Sequence, residues 1–213
     1  MLWEYQRTFV FTSLREPIMS QPRTSDYPID AQFIERWSPR AMANDAIDDQ
    51  TLLSFFEAAR WSPSAYNIQP WRFAYSKHGS DSWENYLEFL IDFNRGWAQH
   101  ASALVVIVSK TTSLNGERLV DNPTHAFDTG AAWASLAHQA HLKGWLTHCM
   151  SGIHHDKIKA ALQLPDDYAV HAMVAIGKPG DKARLPDFLQ EKEAPSGRLP
   201  LGKTVSEGLN FTL

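Results

Sequence analysis

The run ALVVIVS at 103–109 limits what this chain can become more than any other segment. Branching at Cβ restricts χ1 and suits a pleated surface, so the run favours extended backbone. An unbroken apolar strand has no side to offer to water and belongs at the centre of a sheet. Three further strands are predicted around it. WRFAYSK at 71–77 alternates apolar and polar residues like a half-buried strand, WLTHCM at 145–150 is short, and AVHAMVAIG at 169–177 is again nearly continuous.

Helices fall between these strands. Asp30 can cap a short helix running through Trp37, and Asp48 or Asp49 a second one whose Leu52, Phe55, Phe56 and Ala59 recur at helical spacing until Pro63 stops it. Residues 82–98 read as helical. A long helix spans about 125 to 143, ends at Gly144 as C-cap, and is crowded with Ala131, Ala132, Ala134, Ala137 and Ala140, small enough to admit another helix closely. A further helix covers 154–162, after which Pro179, Pro186, Pro195 and Pro200 mark an extended tail too long to float freely. Interleaved helices and strands give an α+β or α/β sandwich. The chain has 213 residues, 44% of them hydrophobic, enough for one sizeable core. We therefore expect an N-terminal extension over 1–29, with 20–28 as a polar, irregular lead-in and Met19 as a potential start, followed by a single domain over 30–213.

Charge narrows the partners. Twenty basic residues stand against 24 acidic ones without a basic block, which excludes a tail held on nucleic acid or an anionic membrane. Glu4, Arg7, Arg15 and Glu16 interrupt the first stretch, so it is not a secretory signal. No run approaches the roughly 18 apolar residues that span a bilayer. Cys149 is the single cysteine and cannot form an intramolecular disulfide. A reducing, cytoplasmic setting is expected, with small molecules or other protein chains as partners.

Two segments carry chemistry. Arg36-Trp37-Ser38-Pro39-Arg40 places two guanidiniums and a hydroxyl within five residues, a set able to converge on phosphate oxygens. On spacing alone, solvated charge at a helix end is the plainer account. Ser62-Pro63-Ser64-Ala65-Tyr66-Asn67-Ile68-Gln69-Pro70-Trp71 fixes a polar loop between two prolines, pre-orienting Ser64, Asn67 and Gln69 for a polar ring edge; a well-made turn is the plainer account.

Together these segments resemble the nitroreductase family, which opens on Arg-x-Ser-x-Arg/Lys and carries a Ser-Pro-Ser-x-x-Asn-x-Gln-Pro-Trp loop leading into a strand. Asn94-Arg-Gly-Trp97, Asp128-Thr-Gly-Ala, Ser151-Gly152 and Arg198-Leu-Pro extend the similarity over roughly 31–200. The resemblance implies an α+β fold with a central, mainly antiparallel sheet flanked by helices, in a homodimer with a domain-swapped C-terminal tail. It implies FMN as cofactor and hydride transfer from NADH or NADPH, via flavin N5, to a nitroaromatic, quinone or similar acceptor in a ping-pong cycle. Arg36, Ser38 and Arg198 would hold the phosphate and ribityl end, with Trp37 beside them. Arg40, the catalytic residue, and Asn94 would face the pyrimidine side. Pro63, Ser64, Ala65, Asn67 and Gln69 would come from the other subunit, and backbone around Met150, Ser151 and Gly152 would lie near N5. Two departures stand out: Ser196 occupies a position where a lysine is common, and Ser151 one where some members have Glu. Other FMN chemistry on the same scaffold (dehalogenation, flavin fragmentation, dehydrogenation) and a non-catalytic flavin-binding protein are the alternatives.

Several sites are excluded or discounted. His138, His141, His148, Cys149, His154 and His155 match no tetrahedral zinc spacing and read as surface or packing residues, so no metal is expected. His148, adjacent to Cys149 on a strand, would point to the opposite face and cannot activate it. Neither a Gly-x-Gly-x-x-Gly turn nor a P-loop is present, so a nicotinamide must visit rather than reside.

Overall fold

Residues 23–209 are described by the structure, a computed structural model. The reading of Met19 as a start and the signal reading of the first stretch concern residues outside that span.

The predicted core strand is present as β3 (Ala103–Lys110), and its continuous apolar run is explained by burial on both faces. It pairs antiparallel with β2 (Trp71–Lys77) on one side and with the long β7 (Tyr168–Pro179) on the other, with Val105 opposite Val174. The far edge of β7 is shared by β6 (Leu146–Met150) and the two-residue β1 (Met42–Ala43). Every pairing in this five-stranded sheet is antiparallel, which settles the α+β alternative.

Strand alternation divides the core in two. Val105, Ile107, Val174 and Ile176 face α2 (Asp49–Arg60) and α5 (His125–Leu142), packing on Leu52, Phe55, Ala132, Leu136 and Ala140. Leu104, Val106, Val108, Met173 and Ala175 face the other way, onto Trp83 and Leu87 of α3 (Trp83–Glu88), Trp97 of α4 (Asp92–Ala98), Ile158 of α6 (His155–Ala161) and Leu189 of α7 (Asp187–Gln190). Leu52 and Phe55 are completely buried, so truncating either to Ala would cost about 2–5 kcal/mol.

The caps act as the residue types predict. Asp30 accepts the Gln32 N–H at 3.0 Å to start α1 (Ala31–Glu35), and Asp48, rather than Asp49, accepts Thr51 N–H at 2.8 Å to start α2. Gly144 takes φ +69° just after α5, the left-handed value that ends a helix without a Cβ clash.

Two expectations need correction. The span 82–98 is two helices, broken where Leu90 bridges Ile153 and the Ile91 N–H bonds the Gly152 carbonyl at 3.2 Å. That tertiary pairing outweighs the local preference for one continuous helix. A hairpin not foreseen, β4 (Thr112–Asn115) with β5 (Arg118–Asp121), turns at Gly116 with φ +61°. In the tail, Leu185 and Leu189 are buried in the chain's own core and Glu193 is buried beyond them. The exposed stretch begins only after that point.

Candidate functional site

The segment after α1 leaves the helix at Arg36, whose backbone turns extended at φ −64°, ψ 124°. Its Nη1 donates to the Trp37 carbonyl at 3.1 Å and to Ser38 Oγ at 3.3 Å. The carbonyl of Arg36 in turn accepts Nη1 of Arg23 at 3.1 Å. Arg198, exposed on the tail, folds onto the Gly197 and Ser196 carbonyls at 2.9 and 3.2 Å. These three guanidiniums repel one another. Arg36 is held below its ordinary pKa by burial and then by Arg198 and Arg23, and Arg23 is lowered by burial and then by Arg198. None forms an ion pair within 4 Å among the described residues, whereas Arg40, Arg60 and Arg95 each do. Arg23 and Arg198 line a cleft of about 830 Å³ whose other walls include Tyr27, Phe33 and Leu199. Unpaired, converging guanidiniums are the donor set a phosphate requires.

Arg40 lies in a different environment. Its N–H and that of Ala41 both donate to Glu193 Oε1, at 2.6 and 2.7 Å, and its Nη1 stands 3.9 Å from Glu193 Oε2. Arg40 Nε and Glu193 Oε2 are buried without a hydrogen-bond partner. Beneath the same loop, Nδ1–H of His148 donates to the Pro39 carbonyl at 3.1 Å, with the Trp97 ring 4.7 Å from the imidazole. Burial, then the Arg40 charge, push the His148 pKa down to about 4, so the ring is neutral and anchors the loop as a donor.

Asn94 and Gly152 meet at the break between α3 and α4. Asn94 is buried and donates from Nδ2 to the Gly152 carbonyl at 3.0 Å. A Cβ on Gly152 would come within 2.7 Å of that Nδ2 and 2.6 Å of Ile91 Cδ1, so the loop lies this close only because residue 152 has no side chain. Met150 is buried at the end of β6, and Ser151 is exposed.

The proline-bounded loop is fastened along α5, from Asp128 in the first turn to Ser135 past the midpoint. Ser62 Oγ contacts Ser135 Oγ at 2.7 Å and donates to the Ala131 carbonyl at 3.2 Å; the Ala65 N–H donates to the buried Asp128 carboxylate at 3.2 Å. Ser64 Oγ accepts the Gln69 N–H at 3.0 Å. Tyr66, Asn67 and Gln69 hold left-handed backbone at φ 50°, 56° and 52°, an uncommon state for side-chain-bearing residues that over-determined loops retain. Tyr66 is wholly exposed, as is much of Pro63 and Asn67.

The arginine segment docks instead near the other end of α5, where Phe33 packs on His138 at 4.8 Å and Glu35 lies 3.9 Å from His141. Asp128 and His138 are about 15 Å apart at 1.5 Å per residue. One chain thus brings Arg36, Ser38 and Arg198 into one region and Asn94 with Gly152 into another, and it ties the loop carrying Pro63, Ser64, Ala65, Asn67 and Gln69 to Asp128 in the first turn of α5. No hydrogen bond joins the two groups among the described residues.

Sequence reasoning missed Arg23, Glu193, the anchoring role of His148, and Asp128 as the loop's tether. Arg23 and Glu193 lie in spans read only as lead-in and tail, and no local pattern marks either. Among the described residues, no three His, Cys, Asp or Glu side chains are placed to share a metal ion. Burial pushes the Cys149 thiol up to about 11, leaving it protonated and unreactive.

An antiparallel sheet of this order, covered by helices on both faces, with an arginine-lined cleft at one end of a long helix, defines the class. The nitroreductase family model matches residues 34–101. A solved structure described as an oxidoreductase containing FMN is 45% identical, superposes with a TM-score of 0.87, and is matched over 90% of this chain and 97% of its own. Among curated relatives, Protein DrgA of Synechocystis is 28% identical over 174 residues, 70% of this chain and 80% of that one. A putative nitroreductase from Desulfovibrio desulfuricans, solved with FMN, shares the fold at a TM-score of 0.67 and 20% identity, over 86% of this chain and 98% of its own. This chain belongs to the nitroreductase family.

Proposed function

We propose that this protein is an FMN-dependent oxidoreductase that takes hydride from NADH or NADPH and delivers electrons to a small acceptor such as a nitroaromatic or a quinone, working as a cytoplasmic homodimer. The observation that carries the proposal is the convergence of Arg36 and Arg198 beside Ser38, with no carboxylate paired to either among the described residues. Similarity to the FMN-containing oxidoreductase at 45% identity supports the cofactor.

FMN, when bound, supplies the two-electron chemistry that side chains lack. The residues of this chain supply placement and charge. Arg36, Ser38 and Arg198 hold the phosphate end through charge-assisted hydrogen bonds, with Trp37 adjoining. Arg40, kept in place by Glu193, would supply positive charge to the flavin ring, which favours its reduced, anionic form. Asn94 fixes the Gly152 loop, so the backbone of Met150, Ser151 and Gly152 would be held in place beside the flavin. Donor and acceptor would bind there in turn, giving ping-pong kinetics. Among the described residues, no helix is long and apolar enough to cross a membrane.

The dimer reading is supported by the tie of Ala65 to Asp128, in the first turn of α5, while the arginine segment docks near its last turn. Pro63, Ser64, Ala65, Asn67 and Gln69 reach a site only when a second copy presents them to the first copy's arginines. The exposed row Phe127, Gly130, Ala134 and Leu142 gives α5 an apolar, small-residue face for that contact.

The test begins with the pigment of freshly purified protein, followed by stopped-flow mixing with NADH and NADPH. Bleaching within a turnover, then recolouring on adding an acceptor, is the expected result. A yellow protein that neither nucleotide bleaches would move the assignment to other FMN chemistry or to flavin binding without catalysis. A protein that takes up no flavin would end it.

A further inference from the structure

We propose that Arg23, in the segment preceding the first helix, is a third ligand of the anion held by Arg36 and Arg198, which makes the lead-in part of the cofactor site. The inference rests on the flavin reading above and adds a residue to it.

Unpaired arginines are ordinary on a surface, and Arg72 on β2 is one, folded onto backbone carbonyls at 2.6 and 3.0 Å. Arg23 differs in its company. Its Nη1 is bound to the Arg36 carbonyl at 3.1 Å, which brings its guanidinium alongside the very residue whose side chain caps Ser38. One donor nitrogen is thereby used for positioning, and the rest of the planar fork stays available to an oxyanion. It lines the same cleft as Arg198, and burial first, then the Arg198 charge, hold Arg23 below its ordinary pKa.

The cleft contains one acidic lining residue, Asp26, and this forms no ion pair with any of the three. Arg23 and Arg198 face this cleft and Arg36 stands close enough to feel both charges, so a phosphate carrying nearly two negative charges would relieve their mutual repulsion. A structural account, in which Arg23 merely ties the lead-in to α1, would be met by the single bond to the Arg36 carbonyl. It leaves unexplained the cleft shared with Arg198 and the lack of an ion pair to either arginine among the described residues.

Riboflavin and FMN differ only by the phosphate, so the pair isolates this contact. The full-length chain, freed of bound pigment, is titrated with each flavin by fluorescence quenching, as wild type and as Arg23→Ala, Arg23→Lys and Arg72→Ala. Losing one charge-assisted contact should weaken FMN about tenfold in Arg23→Ala. Riboflavin affinity should not move, Arg23→Lys should recover part of the loss, and Arg72→Ala should match wild type. Wild-type FMN affinity in Arg23→Ala, or equal weakening toward both flavins, would overturn the assignment of Arg23 while leaving the flavin reading intact. A wild-type chain that quenches neither flavin would overturn both.

Discussion

The carboxylate of Glu193 accepts the backbone N–H groups of both Arg40 and Ala41 through one oxygen, at 2.6 and 2.7 Å, across more than 150 residues of sequence. It thereby closes the tail over the loop that carries the site's arginines, and its side chain is only 4% exposed. A buried acceptor removed from two donors leaves both unsatisfied.

Glu193→Ala should therefore lower unfolding free energy by about 2–4 kcal/mol, since hydrogen bonds to a charged group contribute more than neutral ones and the orphaned donors are desolvated. Glu193→Gln retains an oxygen acceptor and should cost less. Urea unfolding followed by tryptophan fluorescence measures both, and a change under about 0.5 kcal/mol for the alanine variant would show the contact to be dispensable.

Arg36 and Arg40 should separate binding from reduction. Arg36 belongs to the unpaired cationic group, so Arg36→Ala should release FMN with a modest effect on the reduction rate of the flavin that remains. Arg40 already has a carboxylate neighbour, so Arg40→Ala should retain flavin and slow its reduction on the order of tenfold or more. Equilibrium dialysis paired with stopped-flow reduction tells the two apart, and matching losses in both would refute the division.

Acid should destabilise the fold through His148. Its folded pKa of about 4 lies below the ordinary imidazole value of 6.5, so between these values the unfolded chain binds a proton that the folded one does not. The stabilisation is complete above pH 6.5 and is lost progressively as the pH falls toward 4, by about 3 kcal/mol. Arg40 and Arg36 supply the repulsion, and Trp97 covers the ring from α4. Burial lowers His138 and His171 in the same direction, adding to the slope. Comparing wild type with His148→Gln between pH 7 and 5 isolates the term; identical slopes would show that the imidazole plays no part.

Ala134 is exposed on α5, so Ala134→Arg should leave the single chain folded while blocking close helix approach. Light scattering should then report one chain per particle, and FMN should be lost with the partner's loop. A monomeric variant that remained yellow would contradict the shared site.

What could be read in advance depended on how local each determinant is. The strand at 103–109 and the helix ending at Gly144 declare themselves through composition and periodicity within a few residues. The break after Leu90 does not, because it is imposed by Ile153 and Gly152, some sixty residues on. Arg36, Ser38 and Asn94 could be nominated from motifs, whereas Glu193 and Arg23 owe their positions to backbone groups far along the chain. A hydrogen bond to a distant main-chain N–H or carbonyl carries no side-chain signature at the receiving end.

The distance along α5 between the proline-bounded loop and the arginine segment has a genetic corollary. On the two-chain arrangement, a subunit damaged only at Arg36 and another damaged only at Asn67 are complementary: mixed together, they assemble hybrids in which one of the two sites draws both contributions from intact sequence. Two inactive alleles would thus partly rescue each other, with a ceiling near one working site in every hybrid pair.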